Sequence, residues 1–208
     1  VQFTERKGTT PGEYLHCIFV REVKPVLGKE RIRLRPLTPQ DLERMAAWDG
    51  DEEIRYLLGL HLEERKRTYC DHCAALLGTA DSRLWAIEVF PGRFIGEVEL
   101  SQISWRTREA ELKICIGDPA YRGRGYGTAA IEAVLALAFN ELKLARIYLR
   151  VYHYNQRAIR CYLRCGFRKE AVLRNRRRFQ GRNYDVYLMY IDREMYERRL
   201  EEKKVAGK

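Results

Sequence analysis

The 208-residue chain has no long apolar run; the longest, residues 133–139, falls far short of the ~18 to 20 residues that cross a bilayer. A transmembrane helix is therefore not expected. The first residues offer Glu5, Arg6, Lys7, Gly8 and Pro11 where a secretory signal needs an apolar core and a small-residue cleavage site, so a cytoplasmic protein is the expectation. A disulfide framework is missing as well. Cys17, Cys70, Cys73, Cys115, Cys161 and Cys165 lack the spacing of a small secreted fold and read mostly as buried thiols. Asn and Gln are sparse, nine in all, against abundant Arg, Lys and Glu, a balance seen in heat-adapted proteins, although six cysteines argue the other way. Acids are short too: 39 Lys and Arg face 29 Asp and Glu, a net charge of +10. No repeat or low-complexity tract occurs, and 46% hydrophobic with 33% charged residues excludes disorder and collagen-like chains. The length suits one domain.

Residues 1–28 are interrupted by Gly8, Pro11, Gly12, Pro25 and Gly28 around one strand-like run, residues 14–20, and read as an extension before a single domain over 29–208. Residues 31–35 alternate charged and apolar as a half-buried strand, and Thr38-Pro39-Gln40-Asp41 starts a helix. Helical patterns reach about Leu77, broken near Gly50 and Gly59. Residues 84–90 and 93–104 then form a hairpin turning at Pro91-Gly92, and 109–117 alternate as another strand. A helix over 128–142, a strand over 145–151, a helix over 155–165 stopped by Gly166, strands over 167–173 and 184–191, and a helical tail from Asp192 complete the chain. Strands alternating with helices imply a mixed sheet covered by helices, an α/β (α+β) class.

Residues 121–128, Tyr-Arg-Gly-Arg-Gly-Tyr-Gly-Thr, stand between an apolar strand and an apolar helix. Gly123, Gly125 and Gly127 permit positive φ and close backbone approach, so successive N–H groups can converge on an anion at the helix N-terminus, with Arg122 and Arg124 adding charge. A glycine-rich connector with exposed arginines is the plain alternative. The Walker A turn needs Gly-Lys-Ser/Thr and the dinucleotide turn G-x-G-x-x-G; neither fits.

What fits is Arg-x-x-Gly-x-Gly, as Arg122, Gly125 and Gly127, which resembles the acetyl-CoA pyrophosphate motif of the GNAT superfamily of N-acetyltransferases. Residues 155–167, Asn-Gln-Arg-Ala-Ile-Arg-Cys-Tyr-Leu-Arg-Cys-Gly-Phe, are similar to that superfamily's second block: Asn-x-x-Ala, then Tyr, then Gly-Phe. The similarity runs from about Arg31 to the end, taking in Leu34-Arg-Pro-Leu37 and Gly181-x-x-x-Asp185. It is nearest to the ribosomal-protein N-terminal acetyltransferases and the spermidine N-acetyltransferases, which share a segment like residues 110–129. The resemblance implies a mixed, mostly antiparallel sheet flanked by helices, with acetyl-CoA held where strands 4 and 5 splay apart. It implies direct transfer to a primary amine in a ternary complex, with a protein N-terminus or a polyamine as acceptor and without a metal. A homodimer is among the assemblies that related enzymes adopt.

By the same resemblance, Tyr162 occupies the position whose hydroxyl protonates the CoA sulfur, a role its ordinary phenol pKa of ~10 permits. A core tyrosine is the alternative. Glu111 is the candidate base, acting directly or through water, or the group that holds the substrate cation; Glu97 and Glu99 are further candidate bases, and a plain surface carboxylate is the bland reading of Glu111. The backbone of Ile114, Cys115 and Ile116 would pair with the pantetheine arm as an added strand and leave an N–H near the thioester oxygen. Arg122, Gly123, Arg124, Gly125, Tyr126, Gly127 and Thr128 would cradle the diphosphate. Asn155 and Arg157 would add CoA contacts, Asn155 serving also as an N-cap.

Cys70-Asp-His-Cys73 has no second pair at zinc-finger spacing, so no metal is expected there. Cys161 and Cys165 read as packing. Charge is uneven: residues 41–64 hold eight acids and two bases, residues 157–182 ten bases and one acid. The acidic stretch favours a polyamine or a basic peptide, while the basic cluster at 174–178 suits phosphate, a ribosome contact or the CoA 3′-phosphate, unless both are solvated faces. Two non-catalytic alternatives are an RNA-binding module using Phe179, Tyr184 and Tyr187 and a CoA sensor.

Overall fold

The computed structural model describes residues 21–23, 32–60, 69–90 and 92–206; the strand expected at 14–20 lies outside them. Among the described residues, eight strands form one sheet in the order β1-β2-β3-β4-β5-β6-β8-β7: β1 (Arg21–Val23), β2 (Ile32–Pro36), β3 (Arg83–Val89), β4 (Arg93–Ser104), β5 (Glu109–Ile116), β6 (Arg146–Tyr152), β7 (Arg168–Phe179) and β8 (Arg182–Asp192). Every neighbouring pair is antiparallel except β5 with β6, as expected. Counted from Ile32, these two are the fourth and fifth strands. β4 is buried on both faces along most of its length, the mark of a central strand covered on either side.

The helices are α1 (Pro39–Trp48), α2 (Glu52–Leu57), α3 (Tyr69–Leu76), α4 (Tyr126–Ala136), α5 (Gln156–Arg164) and α6 (Arg193–Ala206). Thr38 and Asp41 close a reciprocal capping box with Pro39 at the first position, which fixes the start of α1. α4 is apolar almost all round and sits in the main core, with Ala130, Ile131, Val134 and Leu135 fully buried. Beneath α1 and α3 a smaller cluster joins Leu37, Met45, Cys73, Ala86 and Phe94, with Trp48 stacked on Phe94 at 5.1 Å. No helix among the described residues is long and apolar enough to cross a membrane.

Most boundaries fall within two residues of the expected ones, and two elements show how the fold departs from the pattern. The helix expected over 128–142 starts two residues earlier, because Gly125 in the left-handed region (φ +92) caps it, and it ends in a π-helical turn, Leu137–Glu141. β7 runs past Leu173 through the whole basic cluster to Phe179. The turn after it places Gln180 and Gly181 at positive φ, the hand that keeps a two-residue hairpin in register.

Candidate active site

The parallel ladder between β5 and β6 is short. Glu109, Ala110 and Glu111 face Arg146, Ile147 and Tyr148, and then the strands part. Residues 112–116 remain paired to β4 alone, so one row of their backbone groups opens into a cleft of about 730 Å³, well within the range of small-ligand sites. Ile114, Cys115 and Ile116 form its floor on that side, and Gly96 explains how closely β4 backs them. A Cβ at Gly96 would lie 2.1 Å from the Cys115 carbonyl oxygen.

The glycine turn borders the cleft through Arg122, Gly123 and Gly127. Arg124 is exposed outside it. Tyr126 is buried against Tyr121, so its side chain belongs to the core. The Thr128 hydroxyl lies 3.2 Å from Cys161 Sγ. Arg122, expected on the diphosphate, is occupied otherwise: Nε donates to Ile116 O at 3.0 Å and Nη2 to Gly117 O at 2.6 Å, while Nη2 reaches Asp51 at 2.7 Å and Nη1 reaches Glu53 at 2.6 Å. Four of its five N–H donors are thus used, tying the turn to the start of α2. Arg157 pairs with the same Glu53 at 3.0 Å. Burial disfavours the charge of Asp51, but the hydrogen bond and charge of Arg122 together with backbone hydrogen bonds from Ile54 and Glu53 outweigh it and hold its carboxyl below the usual range.

α5 supplies the remaining wall. Asn155 caps it by accepting from Ala158 N at 3.1 Å, and its amide donates to Leu57 O at 3.3 Å, so capping and tethering coexist in one side chain. The helix closes with both Schellman bonds, Gly166 N to Leu163 O and Phe167 N to Tyr162 O, which need Gly166 at φ +96. Phe167 then packs edge-on to Tyr162 at 5.8 Å. Tyr162 is thereby pinned at the cleft, and its hydroxyl makes no hydrogen bond to another described residue. Burial first, then the neighbouring thiols and Glu97, push its phenol up, so it is held protonated. The Cys115 thiol is likewise pushed up, by burial and then Glu97, which makes it a poor nucleophile.

Glu111 is no surface carboxylate: it is 2% exposed at the point where the strands part. Arg150 grips it in a fork, Nε to Oε1 and Nη2 to Oε2, both 2.7 Å, and Gln102 Nε2 donates to Oε2 at 3.0 Å. Of roughly four lone-pair sites on a carboxylate, about one is left for a water or an amine. Glu97 and Glu99 are fully buried. His72 Nε2 meets Glu99 at 2.9 Å and Lys113 Nζ meets it at 3.1 Å; burial opposes the Glu99 charge, but these partners hold its carboxyl low. Cys73, on α3, packs in the small core.

Sequence reasoning therefore missed Arg150, Gln102 and the acid pair Asp51 and Glu53. The alternation of β6 could have placed Arg150 on one face, but nothing local names a partner 39 residues away.

The chain matches the family model described as an acetyltransferase (GNAT) domain over residues 31–168. It is 36% identical over 119 residues to a spermidine N(1)-acetyltransferase of Vibrio cholerae, covering 57% of this chain and 68% of that one. To the spermidine N(1)-acetyltransferase of Escherichia coli it is 30% identical over 180 residues, 85% and 92% of the two chains. Among solved structures it resembles V. cholerae spermidine N-acetyltransferase in complex with CoA and spermine, with a TM-score of 0.70 at 29% identity over 79% of this chain and 97% of that one. A parallel pair that opens beside a glycine turn, a tyrosine pinned by Gly-Phe, and a family match across most of the chain converge: this protein belongs to the GNAT acetyltransferase family.

Proposed function

We propose that the protein transfers the acetyl group of acetyl-CoA to a primary amine by direct attack in a ternary complex. The observation that carries this reading is the open edge of residues 112–116 lining the same cleft as Tyr162. A pantetheine arm laid along that edge would complete the ladder that β6 abandons. The backbone N–H groups of Gly123 to Gly127, at the start of α4, suit the diphosphate, and an N–H of residues 114–116 suits the thioester oxygen as it gains charge.

In the reaction the amine nitrogen bonds to the carbonyl carbon and the C–S bond breaks. The departing sulfur takes the Tyr162 proton, which burial has kept on the phenol. The ammonium proton of the adduct leaves through a water on the remaining lone pair of Glu111. Arg122 acts as the tie that holds the glycine turn to α2, and Asn155 holds α5 to the end of α2.

The relatives named for spermidine make a polyamine the acceptor to set against a peptide N-terminus. Thiol release from acetyl-CoA, measured over a panel of polyamines and peptides, tests the reading. Turnover with any primary amine supports it. Calorimetric binding of acetyl-CoA without turnover would instead favour a sensor.

A further inference from the structure

Building on the proposed use of acetyl-CoA, we infer that Glu53 is an internal competitor for it: its carboxylate holds Arg157, and a phosphate group of the nucleotide takes that guanidinium in its place.

Glu53 joins two walls of the cleft. Arg122 belongs to the glycine turn and Arg157 to α5, and both border the opening. The Glu53 carboxylate spans them: Oε2 accepts from Arg122 Nη1 at 2.6 Å, and Oε1 meets Arg157 Nη1 at 3.0 Å. A guanidinium forks a phosphate much as it forks a carboxylate, so the two anions are alternative partners for one cation. Glu53 is thus placed as a stand-in for a phosphate, beside the turn whose N–H groups suit a diphosphate.

The two arginines differ in what they would keep if Glu53 let go. Arg122, with a side chain 7% exposed, would still hold Asp51 and the carbonyls of Ile116 and Gly117. The Arg157 side chain is 44% exposed, and Glu53 is the one acid it meets among the described residues. Arg157 is therefore the cation that can be exchanged. The exchange costs little, because Glu53 is itself half exposed and an ion pair between two solvated side chains is weak. The nucleotide also brings several negative charges against one. Nor does the exchange undo α2: Asp51 caps that helix by accepting from Ile54 N at 3.0 Å, and Asn155 holds its far end through Leu57 O. Product CoA carries the same phosphates, so the return of Glu53 to Arg157 helps it leave, a step that limits turnover in many enzymes.

Calorimetric Kd values for CoA and 3′-dephospho-CoA test the exchange on the wild type, Glu53→Gln, Arg157→Gln, the double variant and Glu52→Gln, with thermal melts to confirm that each is folded. Glu53→Gln should bind CoA about two- to fivefold more tightly, the scale of a solvated ion pair. Glu52→Gln removes the same charge one residue away and should leave Kd nearly unchanged. Arg157→Gln should weaken binding, and adding Glu53→Gln to it should return clearly less than the single variant gains. A gain kept with 3′-dephospho-CoA supports the exchange and assigns it to the diphosphate; a gain confined to CoA supports it and assigns it to the 3′-phosphate. Unchanged or weaker binding by Glu53→Gln overturns the inference, as does an equal gain from Glu52→Gln or a full gain without Arg157. A wild type that binds CoA and acetylates no amine overturns the transfer reading alone, since the exchange is read from Kd. Failure of the wild type to bind CoA overturns both.

Discussion

Replacing Arg122 separates two roles that the glycine turn could give it. Its guanidinium is 7% exposed and donates to two backbone carbonyls and two carboxylates, whose own side chains are 25% and 50% exposed. The carboxylate pairs are partly solvated, so each is worth at most about 1 kcal/mol. The carbonyls are the larger share, because losing a charged donor leaves them short of a partner at about 1 kcal/mol or more each. Arg122→Ala should therefore cost about 3 kcal/mol. For a chain of this size that is a fall in melting temperature of about 6–12 °C. Arg122→Lys should recover only part of it, since an ammonium cannot fork across four acceptors.

Thermal melts with and without acetyl-CoA, beside calorimetric titrations, read both roles at once. Asp51→Ala removes the other end of the same tie, so its effect and that of Arg122→Ala should be less than additive in a double-mutant cycle. A melting temperature within about 2 °C of wild type, combined with a tenfold or greater loss of acetyl-CoA affinity, would refute the tie and give the side chain to the diphosphate.

Tyr162→Phe removes a hydroxyl that no described side chain uses, so stability should hold while kcat falls by about 10²–10⁴ with KM for acetyl-CoA little changed; turnover within threefold of wild type would end the acid assignment. Gly125→Ala finds open space around its Cβ but keeps a backbone at φ +92, so it should cost about 1–2 kcal/mol and weaken acetyl-CoA binding, with Gly125→Asn milder on both counts. Asp41 is buried, which opposes its charge, yet hydrogen bonds from Arg35 and Thr38 hold its carboxyl below the usual aspartate value. A folded value below the unfolded one stabilises above about pH 4 and is lost as pH falls through the folded value. The stability gap between wild type and Asp41→Asn should then be widest near neutrality and close in acid; a gap independent of pH would sink the linkage.

Local chemistry made much of this fold readable. The capping box at Thr38, the turn at Gly92 and the Schellman stop at Gly166 are each written within a few residues, and each appears where the pattern puts it. Tertiary charge was not readable. Glu97, Glu99 and Glu111 carry the residue type that composition places outside, and all three are buried. What stabilises Glu99 and Glu111 there comes from α3, β5 and β6, elements that sequence order leaves far apart. Arg122 was legible only by half: the motif read its charge as meant for a ligand, and its partner Asp51 in the fold lies 71 residues earlier. The bulge of β7, where Leu173 faces Val186 but Arg177 faces Tyr184, was hidden because a run of arginines has no alternation to break.

The point at which β5 and β6 part connects the two halves of the problem. Glu111 is the last residue of β5 in the parallel ladder, and Arg150 lies two residues past Tyr148, its partner on β6. The ion pair therefore bridges the strands just where their backbones stop bonding, with Gln102, itself at φ +52 in a bulge of β4, completing it from the other side. A fork of this kind keeps the strands joined by side chains while the main-chain groups of residues 112–116 stay open. The carboxylate proposed to take a proton in the cleft is also the one that joins the two strands where the cleft begins. Glu111→Gln would keep its shape but lose the charge that Arg150 faces, so its kinetic defect has to be judged against the spacing of the strands. Glu111→Gln with Arg150→Gln, which removes both charges together, distinguishes them. If the double variant regains the stability lost by the single one while kcat stays low, the proton role is real; recovery of both would make Glu111 a strut.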